Sequence, residues 1–263
     1  MRQFSASYLE HTRRGMWADS RDALADLDLR SRQRVLDVGC GTGELTRVLR
    51  EAVPGTVLGC DADRDLVDGN NMEPGLRDRI VATLEDGVVD LAVCQALLIN
   101  LPDPAAAVAA FRRVSSDLVA AVEPNNAAVT VDSTVESEPA LARRARRLFL
   151  DGVETDVTLG ADAAALFEDA GLTDVRTRRY DHERTVEPPY SEAELNDAGE
   201  KVSGDGLDRS KATILAGETS EAEFDALRND WKAMGRAVVE QMQDGDYRRT
   251  ETVPFYVTVG RVP

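Results

Sequence analysis

The segment VLDVGCGTGE, residues 35–44, is the feature that most constrains this chain. A short β-favouring run, 35–38, ends in three glycines at alternate positions, and Leu45, Val48, Leu49 and Ala52 then follow at helical spacing. The pattern is a strand, a tight loop and a helix. Glycine is placed where backbone must turn sharply, or approach a ligand with no Cβ in between. The helix that opens at this loop offers unpaired N–H groups and a partial positive charge, a place for an anionic group such as a carboxylate.

Pro54 and Gly55 end that helix, and residues 56–60 resume a buried β-favouring run that stops at Asp61. The unit is β-α-β, so its two strands are parallel in a right-handed crossover. Asp61 then stands at the tip of the second strand, where a carboxylate accepts ribose hydroxyl hydrogens. This geometry points to a nucleoside, and the Gly39 to Asp61 spacing also suits a dinucleotide. The loop distinguishes the two: a dinucleotide fingerprint reads GxGxxG, whereas Glu44 stands here at the place of the third glycine. Asp37, inside a predicted buried strand, needs an ammonium or N–H partner, because an unpaired buried carboxylate is costly.

Further along, strands are predicted at 79–83, 88–94 and 117–122, with a helix over 105–114 that Asp103 caps and Pro104 begins. Alternation of strands and helices at short spacing predicts an α/β fold, with a mostly parallel sheet and helices on both faces. Helices are expected over 139–150 and 161–170, the latter closed by Gly171, and a strand over 173–180. Residues 191–246 read as polar and helical, a cap insertion or an oligomer interface placed before a closing strand at 255–262. Pro254 is expected to mark the first residue of that strand. The arginines at 143, 144, 146 and 147 read as a solvated helix face, and the prolines of EPPY, 187–190, as a linker into the cap.

Composition narrows the function. A formal charge of −17 repels phosphate backbones, so no nucleic-acid partner is expected. The longest weakly charged apolar stretch, 88–101, is shorter than the roughly 20 residues of a membrane span, and the N-terminus lacks an apolar secretion core. A cytoplasmic protein is expected. The three cysteines, Cys40, Cys60 and Cys94, have no CxxC spacing, which predicts reduced thiols and no metal site. Three lysines against 48 acidic residues resemble the balance of proteins from salt-loving microbes.

The motifs VLDVGCGTGE, GCD at 59–61, DLAVCQALLINLPDP at 90–104 and AVEP at 121–124 together resemble the class I methyltransferases. The likeness is greatest to the small-molecule enzymes similar to those of ubiquinone and menaquinone biosynthesis. That resemblance implies a Rossmann-like, seven-stranded sheet and S-adenosylmethionine as cofactor, with S-adenosylhomocysteine as product. Asp37, Gly39, Cys40, Gly41, Thr42 and Gly43 would lie at the methionine end, Asp61 and Ala62 at the ribose, and Cys94 and Gln95 along the cofactor. A leading helix near residues 8–17 would close over the methionine carboxylate, with Arg13 or Arg14 as its ion-pair partner. The family's usual acid after the third strand is missing here, which leaves Thr83, Leu84 and Glu85 as adenine candidates. Ile99 and Asn100 replace the histidines that usually precede Leu-Pro-Asp-Pro, so no histidine base is expected there. His11 is the candidate base that remains, ahead of His182.

The implied organisation is one methyltransferase domain: a helical cover at 1–30, a core at 31–190, a cap at 191–246 and a closing strand at 247–263. A small-molecule acceptor is expected, with a homodimer through the cap helices as a further expectation. The alternatives are an NAD(P)-binding oxidoreductase and a regulatory protein that binds S-adenosylmethionine without catalysis.

Overall fold

The structure is a computed structural model and describes residues 16–17, 21–61 and 84–263. Among the described residues seven strands form one sheet: β1 (Arg34–Val38), β2 (Thr56–Cys60), β3 (Val89–Gln95), β4 (Ser115–Pro124), β5 (Thr130–Ser133), β6 (Thr173–Val186) and β7 (Arg249–Arg261). The order is β2-β1-β3-β4-β7-β5, with β6 also pairing β7. The pairs from β2 through β4 are parallel, and β7 runs antiparallel to β4 and β5. The strand expected at 79–83 lies outside the described residues.

The chain divides into two compact units, one of residues 1–125, 158–182 and 254–263, the other of residues 126–157 and 183–253. In the first, α1 (Glu44–Ala52) buries Leu45, Val48 and Leu49, and α2 (Pro104–Val114) buries Val108, Phe111 and Val114. Each such side chain contributes roughly 1.5–3 kcal/mol. Asp103 caps α2 as its sequence predicts, accepting from the Ala106 N–H at 2.9 Å. At the amino edge of the sheet Arg32 donates to the Leu27 carbonyl and pairs with Asp117, which Arg261 also holds at 2.5 Å.

Register decides where the chemistry can sit. Val38 is level with Cys60 and Cys94, and Gln95 is level with Val122. Gly39, Asp61 and Ala96 therefore leave the sheet at one carboxyl edge, where Glu123 lies near the end of β4. In the sequence β2-β1-β3 the strand order reverses at β1 while the strands stay parallel, and the crevice at such a switch point is where open α/β sheets bind ligands.

The second unit holds α3 (Glu138–Gly152), α5 (Glu192–Ser203), α6 (Asp205–Ala216) and α7 (Glu221–Asp244), while α4 (Ala163–Asp169) belongs to the first. Capping boxes of Ser191 with Glu194 and of Ser220 with Glu223 start α5 and α7. Two sequence expectations are corrected. Pro254 lies inside β7: residues 249–252 pair with β5 and 255–261 with β4, so the proline, which has no N–H, sits at the change of partner. Arg146 is no solvated side chain, because it donates to the Val129 carbonyl at 2.8 Å and faces Glu251 at 3.6 Å.

Candidate active site at the carboxyl edge of the sheet

Gly39, Gly41 and Gly43 have φ of 71°, 54° and 81°. These are left-handed conformations that cost other residues roughly 1–2 kcal/mol each. The turn is tied back to β2, since the Gly39 and Cys40 N–H groups both donate to the Cys60 carbonyl, at 2.8 and 3.0 Å. Asp61 continues the same tie: its Oδ2 accepts from the Gly41 N–H at 2.8 Å. No side chain caps α1 at Gly43, so the first turn of that helix keeps its N–H groups for other acceptors.

Asp37 is fully buried and accepts from the Thr46 hydroxyl at 2.5 Å. One partner of this acid is thus a hydroxyl on α1, which is neither the ammonium nor the N–H group expected, and it pins helix to strand. Cys40 and Thr42 are buried in the loop, and burial, with the charges of Asp37 and Asp61, raises the Cys40 thiol far above its usual range. The three cysteines are buried and form no disulfide, and among the described residues no cluster could hold a metal.

At the tip of β3, Gln95 is buried and held on both sides: its Nε2 lies 2.9 Å from the Met16 sulfur, and the Trp17 indole donates to its Oε1 at 3.4 Å. Trp17 packs on Tyr180 and Tyr180 on Phe255, each pair with ring centroids 5.7 Å apart. His182, the weaker of the two predicted bases, is buried edge-on against Phe255. Leu84 packs against the core, and its carbonyl accepts from Arg113 at 2.7 Å. His11, Arg13, Arg14, Ala62 and Thr83 lie outside the described residues.

Glu123, to which sequence reasoning gave no role, organises this edge. It is fully buried at the end of β4 and accepts from the Leu97, Leu98 and Ile99 N–H groups at 3.1, 2.9 and 3.4 Å. Burial pushes its carboxyl up to about 7 against the opposing pull of those N–H groups. Burial and Glu123 together push the Cys94 thiol up, so it stays protonated and points at Glu123 Oε1 from 3.7 Å. The turn so held carries Leu97 to Gly39, where an added Cβ would meet Leu97 Cδ1 at 2.8 Å. An acid within an apolar run and before a proline was the available signal.

A methyltransferase-domain family model matches residues 8–177. A SAM-dependent methyltransferase from Archaeoglobus fulgidus superposes with a TM-score of 0.54 at 12% identity, covering 98% of this chain and 100% of that one. A protein of Bacillus halodurans C-125, described as a candidate methyltransferase, does so with 0.52 at 14% identity, covering 94% and 99%. At such identities the two establish the fold. An uncharacterized 37.1 kDa protein in transposon TN4556 of Streptomyces fradiae is 31% identical over 158 residues, which is 56% of this chain. The chain matches 45% of the length of that relative. With a family model spanning most of its length, and the glycine loop and strand-end acid in the places that the motifs require, the chain belongs to the methyltransferase-domain family.

Proposed function

We propose that the chain is an S-adenosylmethionine-dependent methyltransferase acting on a small-molecule acceptor, with the donor seated on the loop Gly39 to Gly43. The observation that carries this reading is the bond from the Gly41 N–H to Asp61, which joins a left-handed glycine turn to an acid at the end of the next strand. When bound, the donor supplies an electrophilic methyl on a sulfonium with a good leaving group. The residues present fit it. The uncapped start of α1 suits an amino-acid carboxylate, and Asp61 suits ribose hydroxyls, because a carboxylate has about four lone-pair sites and one N–H does not exhaust them. Cys94 and Gln95 border the same edge, and Met16 and Trp17 cover Gln95 and keep water from it.

Alignment and water exclusion supply much of such an in-line displacement, up to roughly 7–11 kcal/mol in favourable cases. No dedicated base is needed for an acceptor that is already nucleophilic. A charge of −17 supports a small-molecule acceptor over nucleic acid. No helix among the described residues is long and apolar enough to cross a membrane.

Calorimetric titration with S-adenosylhomocysteine tests the reading. Micromolar binding is expected, weakened by about 1–3 kcal/mol in Asp61→Ala, the loss typical of a hydrogen bond to a charged group. NADH binding in place of S-adenosylhomocysteine binding, by the folded native chain, would overturn it.

A further inference from the structure

Asp37, Asp61 and Glu123 stand where β1, β2 and β4 reach the carboxyl edge of the sheet. The segments that carry them, together with the tip of β3 and its turn, are residues 35–46, 57–61, 91–102 and 118–130, and they hold no lysine, arginine or histidine. Glu123, like Asp37, has no surface in contact with water. Its donors are all neutral: the N–H groups of Leu97, Leu98 and Ile99, and the Cys94 thiol. Among the described residues no cation pairs with it. Neutral dipoles stabilise a buried carboxylate without cancelling its charge, and away from water the field of that charge carries further than it would in solvent.

The field falls on the glycine turn. Leu97, whose N–H binds Glu123, packs against Gly39, where an added Cβ would meet its Cδ1 at 2.8 Å. Cys94, with its sulfur 3.7 Å from Glu123 Oε1, lies between the two buried acids, and both Glu123 and Asp37 act on its thiol. A fixed charge at such a place sorts ligands by their own charge. S-adenosylmethionine and S-adenosylhomocysteine differ there by one unit, because the electron pair of the broken C–S bond stays on sulfur when the methyl leaves, and a sulfonium becomes a neutral thioether.

We propose, resting on the donor reading above, that Glu123 is a specificity-determining residue of the donor site, whose buried charge favours the sulfonium donor over its thioether product. It acts across the turn of residues 97–99, through its field, and touches neither ligand. Since the sulfonium gives up its charge on the way through the transition state, the benefit lies in the exchange of product for donor and not in the chemical step.

The test is calorimetric titration of the full chain with S-adenosylmethionine and with S-adenosylhomocysteine at pH 8, above the value of about 7 to which burial lifts the Glu123 carboxyl. The quantity read is the ratio of the product Kd to the donor Kd, in which every contact common to the two ligands cancels. In Glu123→Gln the ratio is expected to fall about tenfold, the scale of a unit charge acting across a few residues of protein. In Glu123→Asp, which keeps the charge, it is expected to stay within about threefold of the native ratio. Equal weakening of both ligands in Glu123→Gln, with the ratio unchanged, would reduce Glu123 to a purely structural residue and overturn the proposal. Should Glu123→Gln fail to fold, a tenfold fall in Glu123→Asp overturns it as well, and a ratio kept there supports it. Failure of the folded native chain to bind either ligand is a different result: it removes the donor reading itself, and this proposal with it.

Discussion

Acidification from pH 8 to pH 6 is expected to stabilise the folded chain through Glu123. This carboxyl is raised to about 7 in the fold by burial, against about 4.3 in a solvated glutamate. Between those two values the folded state keeps a proton that the unfolded state releases. The stabilisation is fully present below the unfolded value and is lost as pH rises through 7. At 1.36 kcal/mol per unit the whole effect is about 4 kcal/mol, of which the interval from pH 8 to pH 6 recovers about 1.3 kcal/mol. For a chain of this size that is about 3–5 °C in unfolding midpoint.

The assay is a double difference: midpoints of the native chain and of Glu123→Gln, each at pH 6 and pH 8. The amide keeps the shape and an oxygen for the Leu98 N–H but does not titrate, so its cost is the same at both pH values and cancels. All other titrating groups cancel as well. The native chain is expected to gain about 3–5 °C more on acidification than the variant. Equal gains in the two proteins, or a larger gain in Glu123→Gln, would refute the argument that a buried, elevated carboxyl holds the turn after β3.

Gly39→Ala is expected to lose about 1–2 kcal/mol of stability to the left-handed backbone and to displace Leu97, weakening S-adenosylhomocysteine in calorimetry. Thr46→Val removes the hydroxyl donor of buried Asp37 and is expected to cost about 1–3 kcal/mol in urea unfolding. Raising KCl from about 0.1 M to about 2 M is expected to raise the unfolding midpoint, because screening relieves the repulsion of 48 acids against 31 bases. A midpoint that falls with salt would contradict this.

What could be read from the sequence was local. The strand, loop and helix of β1 and α1, and β2 with Asp61 behind it, follow from periodicity and from glycines a few residues apart, and the structure keeps their bounds within a residue. What could not be read depends on register between distant segments. Glu123 serves N–H groups 24 to 26 residues earlier in the chain, which only the pairing of β3 with β4 brings to it. Pro254 misled because a strand can change partners at the residue that has no donor. β5 was missed because its four residues, TVDS, carry no buried face, and Arg146 because its partner Glu251 comes from β7.

Ala96 shows what this edge spends to stay rigid. It has φ of 48° without being glycine, a conformation worth about 1–2 kcal/mol of strain. Such strain persists where the surroundings over-determine it, and here they do: the Ala96 N–H donates to the Val122 carbonyl, and Asn100 Nδ2 donates to the Ala96 carbonyl, each at 2.8 Å. The strained residue lies between Gln95, held by Met16 and Trp17, and Leu97, held by Glu123. A relaxed backbone at Ala96 would turn Leu97 away from Gly39 and loosen the glycine turn from the side opposite Asp61. Asp61 and Glu123 therefore act on one loop from two strands: Asp61 holds the Gly41 N–H directly, and Glu123 holds the wall against which Gly39 packs. A loop fixed on both sides before a ligand arrives need not spend binding energy on ordering itself, which is what a reaction governed by alignment requires.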